Sequence, residues 1–190
     1  MPVIVVVAAL LAWLGAALVV LSDARRGLAL GLALTTIGFA VLAWGAGQPV
    51  GAVAVAVGGM TGALRCWTAG PAVWGLMPPG STARLVLCIA AGLLALWISA
   101  SVTTPAGGPL LFAVLAVLGL MAARVLAGRD AQVDRTAIAC FALALASSPA
   151  LASTPPGPVP YVFGALIAAA VIVAPATLPQ GAARSGKDGR

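Results

Sequence analysis

The sequence predicts an all-α fold: a polytopic transmembrane helical bundle of about seven spans, one N-terminal helix followed by three outward hairpins. Three observations lead there. The 190 residues are 62% hydrophobic and 7% charged, with no His and no Glu, whereas soluble domains carry about 25% charged residues. The basic residues fall in clusters at the ends of apolar stretches: Arg25 and Arg26, then Arg65, Arg84, then Arg124, Arg129 and Arg135, and finally Arg184, Lys187 and Arg190. The intervals Arg26 to Arg65 and Arg84 to Arg124 hold no charge. At about 1.5 Å per residue each gives nearly 60 Å of helix, enough for two crossings of a roughly 30 Å hydrocarbon layer.

The elements follow in order. A first span over 2–21 has its positive flank, Arg25 and Arg26, behind it rather than ahead. That is the reverse of a secretory signal, so we read a retained anchor with its N-terminus outside. A second span over 27–46 ends near Trp44, a residue suited to the membrane interface. Gly47-Gln48-Pro49 makes the outer turn, because proline cannot continue a helix and glycine frees the backbone. The third span, 50–64, is short. It must still cross, for otherwise the five later arginines Arg65, Arg84, Arg124, Arg129 and Arg135 would all fall outside, against the positive-inside bias. Its Arg65 then reaches back to the headgroups.

Residues 66–83 contain Trp67, Trp74, Pro71, Pro78 and Pro79 without a charge, and read as an interfacial cytoplasmic segment. A fourth span covers 85–102, and a fifth covers 109–127 with Pro109 in its first turn. The stretch 129–135 holds Asp130 and Asp134 beside Arg129 and Arg135. It reads as a solvated connector whose acids pair with neighbouring arginines. A sixth span over 136–153 carries Ser147, Ser148 and Pro149, a kink or cavity candidate, with the serines placed to satisfy the freed carbonyls. A seventh over 161–178 leads to a cytoplasmic tail, 179–190. The spans form a single transmembrane domain over 1–178. Outer-turn prolines recur at similar offsets in the three hairpins, a pattern shared by repeats and by any run of tight hairpins.

Chemistry is bounded by what is missing. Without His there is no Ser-His-Asp triad or usual zinc-hydrolase centre. The acids Asp23, Asp130, Asp134 and Asp188 all fall in predicted loops or the tail, whereas proton relays and acidic channel rings use acids within the membrane. Cys66, Cys88 and Cys140 have no C-x-x-C spacing and lie toward the reducing side, so disulfides are not expected. The reading is therefore no enzyme, no cofactor and no metal site. A nucleic-acid interface would need a basic stripe with exposed aromatics and is not expected either.

Close helix packing is on offer instead. Gly27 with Gly31, and Gly58 with Gly62, make small-xxx-small pairs, which let backbones approach where lipid supplies no hydrophobic drive between helices. Thr35, Thr36, Ser99, Ser101, Ser147 and Ser148 are placed for bonds between helices or to their own helix. The topogenic set is Arg25, Arg26, Arg65, Arg84, Arg124, Arg129 and Arg135. The expected setting is a bacterial inner membrane with the C-terminus cytoplasmic. The expected partners are the lipid bilayer and other membrane-protein subunits, in the role of a non-catalytic subunit or scaffold. The alternative is a small permease for a neutral or lipophilic solute.

Overall fold

In lipid every backbone polar group must be satisfied by the protein itself, which helices do within one segment, and the described residues form helices. The computed structural model describes residues 2–68, 81–102, 107–127, 130–152 and 157–174. They form seven α-helices: α1 (Pro2–Leu21), α2 (Arg25–Gly45), α3 (Pro49–Thr68), α4 (Ser81–Val102), α5 (Gly108–Leu126), α6 (Ala131–Ser147) and α7 (Val159–Val173). A 3-10 turn, Ser148–Leu151, follows α6. Helices α1 to α5 are each long and apolar enough to cross a membrane; α7 is apolar but shorter. The chain is an all-α transmembrane helical bundle, with no strand among the described residues.

Local chemistry fixes several ends. Proline opens α3 at Pro49 and lies in the first turn of α5 and of α7, where its missing N–H costs least. Asp130 caps α6, its carboxylate accepting from the Gln132 amide at 2.8 Å. The α2 helix closes on Gly47, whose φ of +75° suits glycine. The Gly47 amide donates to the Trp44 carbonyl and the Gln48 amide to the Ala43 carbonyl, both at 3.0 Å. These two bonds satisfy carbonyls that the helix end would otherwise orphan.

Around the bundle the neighbours run α1, α2, α3, α7, α6, α5 and back to α1. The α6 helix also touches α1, α2 and α3, while α4 lies outside this ring against α5 and α1. The core is built mainly from small residues, among them Ala8, Ala12, Ala16, Ala113, Ala137 and Ala144, while many large aliphatics face outward. That inversion of the soluble pattern follows from lipid tails being as apolar as leucine.

Several predicted boundaries move. The third helix runs past 64 to Thr68, and α4 starts at Ser81 rather than 85. Cys66, Trp67 and Thr68 therefore belong to α3 and 81–83 to α4, and the remainder of the predicted interfacial segment, 69–80, lies outside the described residues. The sixth helix starts at Ala131 instead of 136, which places Asp134 in its first turn rather than in a loop. It ends at Ser147 and does not bend and continue to 153. Pro149 has no N–H for the Leu145 carbonyl, and the Ser148 hydroxyl donates there instead at 2.8 Å. The predicted kink is thus a helix end. The seventh helix ends at Val173; the predicted stretch 175–178 and the tail 179–190 lie outside the described residues.

Candidate functional site

Charge gathers at one end of the bundle, where α1, α3, α5 and α7 finish and α2, α4 and α6 begin. Asp23 sits in the three-residue link between α1 and α2, just ahead of the α2 N-terminus, where a helix dipole favours negative charge. Arg84 stands in the first turn of α4 and Arg124 in the last turn of α5. Arg84 Nη1 donates to both Asp23 oxygens, at 3.1 and 3.2 Å. Arg124 Nη2 donates to Asp23 Oδ1. One carboxylate therefore ties the α1–α2 link to α4 and to α5.

The three groups are not equally wet. Arg124 is 7% exposed, while the Arg84 and Asp23 side chains keep 34% and 43% of their surfaces. Burial pushes the Asp23 carboxyl up, but hydrogen bonds and charge from Arg124, then Arg84, outweigh it and hold the group below its ordinary value. Arg124 Nε is buried without a partner among the described residues, as are Ser22 Oγ, Asp134 Oδ1 and the Tyr161 hydroxyl.

The other described arginines line the same end. The Arg26 guanidinium lies 5.5 Å from the Trp67 ring centroid, within range of a cation–π contact. Arg135 Nη1 donates to the Ala174 carbonyl at 3.0 Å, compensating the C-terminal end of α7. Arg65 is in the last turn of α3 and Arg25 in the first turn of α2. Arg129 lies outside the described residues. Among the described residues Arg84 and Arg124 pair with Asp23 and Asp130 serves as a cap; the pairing expected within 129–135 rests partly on Arg129 and so lies outside the described residues.

A second polar group lies deeper. Cys66 Sγ is 4.0 Å from Thr136 Oγ1 and accepts from Gln132 Nε2 at 3.5 Å. Cys66, Cys88 and Cys140 are buried free thiols. Thr35, Thr36 and Ser147 donate to the Gly31, Leu32 and Leu143 carbonyls one turn back, at 2.8, 2.7 and 2.9 Å. Ser99 and Ser101 bond Leu96 and Ile98 carbonyls in the same local way. Among the described residues no three His, Cys, Asp or Glu converge as a metal would need.

The glycines mark where backbones meet. A Cβ on Gly31 would lie 2.8 Å from the Gly15 carbonyl oxygen, and one on Gly58 would lie 2.7 Å from that of Ala165. On Gly27 it would strike the Ser22 side chain, and on Gly62 the Ile172 side chain. Four glycines outside the small-xxx-small pairs are as tight. Gly15 meets the Thr35 backbone, Gly38 meets α1 at Ala8 and Ala12, Gly59 meets Thr36, and Gly164 meets Ala146. Asp23, expected as an ordinary loop residue, has one signal in the sequence: it is the sole acid before Asp130.

Apolar furrows run between helices. One of about 380 Å³ lies between α6 and α7, lined by Phe141, Leu145, Phe163 and Ile167 among others. A smaller one, about 170 Å³, lies between α1 and α4 beside Phe112 of α5. No protein-family model, no curated protein and no solved structure matched this chain when compared with it.

Proposed function

We propose that this multi-pass membrane protein is a non-catalytic subunit or scaffold of a larger membrane complex, packing against partner helices. The observation that carries the reading is α4. It is the least buried of the five long helices, at 22%, and turns Val86, Leu93, Leu94 and Trp97 outward. Its inner line, Cys88, Ala95 and Ser99, is buried. A partner helix would find there a long apolar ridge held from behind. Support also comes from Thr35, Thr36 and Ser147, whose buried hydroxyls each bond a carbonyl of their own helix. In this reading the arginine end faces the cytoplasm, as the positive-inside bias requires. The N-terminus is then outside, the C-terminus inside, and the host membrane a bacterial inner membrane.

Purification in mild detergent from the native membrane, with a photocrosslinker at Trp97, tests the role. A fixed-stoichiometry partner crosslinked from position 97 supports it. An isolated chain that passes a neutral or lipophilic solute in liposomes would overturn it in favour of a small permease. Cysteines placed at Gln48, Gly107 and Ala131 test the orientation. The first two should label from outside and the third should not.

A further inference from the structure

We propose that the furrow between α1 and α4 holds an acyl chain of an anionic phospholipid whose phosphate is received at Arg84, beside the Asp23–Arg124 pair. The headgroup end is argued from charge. One carboxylate, Asp23, faces two guanidinium groups, so the cluster keeps one positive charge in excess, the complement of a monoanionic phosphodiester. Two guanidiniums also carry far more N–H donors than one carboxylate has lone pairs. Both Arg84 hydrogen bonds leave from Nη1, and its side chain is 34% exposed. Its other nitrogens are thus placed to donate to phosphate, for which the planar guanidinium is well suited. Arg124, almost wholly buried, keeps a partnerless Nε in the same cluster.

The tail end is argued from depth and shape. Counting from Arg84 along α4 at about 1.5 Å per residue, Ile89 lies about 7 Å and Leu96 about 18 Å toward the far end. A single leaflet of hydrocarbon is about 15 Å deep, half of roughly 30 Å. The furrow therefore begins within the depth reached by a tail whose headgroup stands at Arg84 and ends near the bilayer midplane. Its walls are Ile89, Gly92, Leu93 and Leu96 of α4, with Trp13 of α1 and Phe112 of α5. Gly92 lets the Trp13 indole lie directly against α4, since a Cβ there would lie 2.8 Å from Trp13 Nε1. The indole is held by its N–H, which donates to the Cys88 carbonyl at 3.3 Å, so the floor is fixed. Beside the larger furrow between α6 and α7, Arg135 is engaged by the Ala174 carbonyl at the end of α7.

The test uses the full chain, purified in mild non-ionic detergent and read by native mass spectrometry and thermal unfolding. The probes are phosphatidylglycerol, phosphatidylcholine with the same acyl chains, and inorganic phosphate. The expected result is one phosphatidylglycerol retained per chain, about tenfold in preference to phosphatidylcholine, a margin that one charge-assisted contact supplies. Arg84→Gln should abolish that preference and Arg84→Lys should keep most of it. Leu93→Trp, which fills the furrow from an exposed position, should reduce retention of both lipids. Should Arg84→Gln fail to fold, the lipid preference of the unaltered chain and Leu93→Trp still decide. Equal retention of the two lipids, preference surviving Arg84→Gln, displacement by inorganic phosphate, or no effect of Leu93→Trp would each overturn the proposal.

Discussion

The helices α2 and α4 have nearly the same length, 21 and 22 residues, and opposite places. The α2 window is 61% buried and the α4 window 22%, yet α4 is the more apolar of the two. What sends α2 inward is its small and hydroxylic residues: Gly27, Gly31, Thr35, Thr36 and Gly38 are all buried. What leaves α4 outside is Leu, Ile and Trp on most of its surface. In a bilayer, hydropathy states that a helix crosses; residue size states where it stands.

The largest effect should come from adding volume inside. Gly38→Val would press a Cβ to 2.7 Å from the Ala12 amide nitrogen and the Ala8 carbonyl oxygen. Backbone cannot yield cheaply, so the loss should exceed the usual overpacking range of about 1–3 kcal/mol. Reversible unfolding in mixed micelles would measure it, and a normal midpoint would break the contrast between the two helices.

Next comes the ion-pair tether of α4 and α5 on Asp23. Arg124→Ala removes a charged hydrogen bond from a buried side chain and should cost about 1.5–3 kcal/mol. Arg84→Ala, at a more exposed pair, should cost under about 1 kcal/mol. A double-mutant cycle with Asp23→Asn should show coupling to both arginines, larger for Arg124.

The same tether gives a pH signature. The Asp23 carboxyl is depressed in the folded protein, so its contribution is complete above the unfolded value of about 3.9 and disappears as pH falls through the lower folded value. The difference in unfolding midpoint between the unaltered chain and Asp23→Asn should stay flat from neutral pH to about pH 5 and vanish only in stronger acid. A difference that grew on acidification would contradict the assignment.

The smallest effect is expected on the outer face of α4. Leu94→Ala, at a residue 58% exposed, should shift stability by no more than about 0.5 kcal/mol. If its midpoint fell as far as that of Gly38→Val, α4 would be a core helix and the comparison would fail.

Much of this layout was legible in the sequence. Seven apolar stretches and a basic cluster at alternate ends suffice for the helices and for the charged end. The boundaries drifted toward the charged end, because a long side chain such as Arg65 or Arg84 can occupy a helical turn while its head reaches water. The polar stretch at 131–135 hid the first turn of α6 for the same reason. The Asp23 tether was harder to see, with partners 61 and 101 residues away. Nothing in spacing brings such groups together; only the docking of α4 and α5 on α1 does. Glycine pairs within one helix were legible as motifs, but Gly15 and Gly164 are single glycines whose partners lie on other helices.

The seam between α3 and α7 has a consequence for biogenesis. It joins α3 to α7, a helix made well after it, with Gly51 under the Tyr161 ring and Gly58 against Ala165. During synthesis α3 waits with its notched side bare until α7 emerges. A nascent chain stalled before residue 159 would present that notched side to whatever insertase or quality-control protease patrols the membrane, and completion of α7 would hide it.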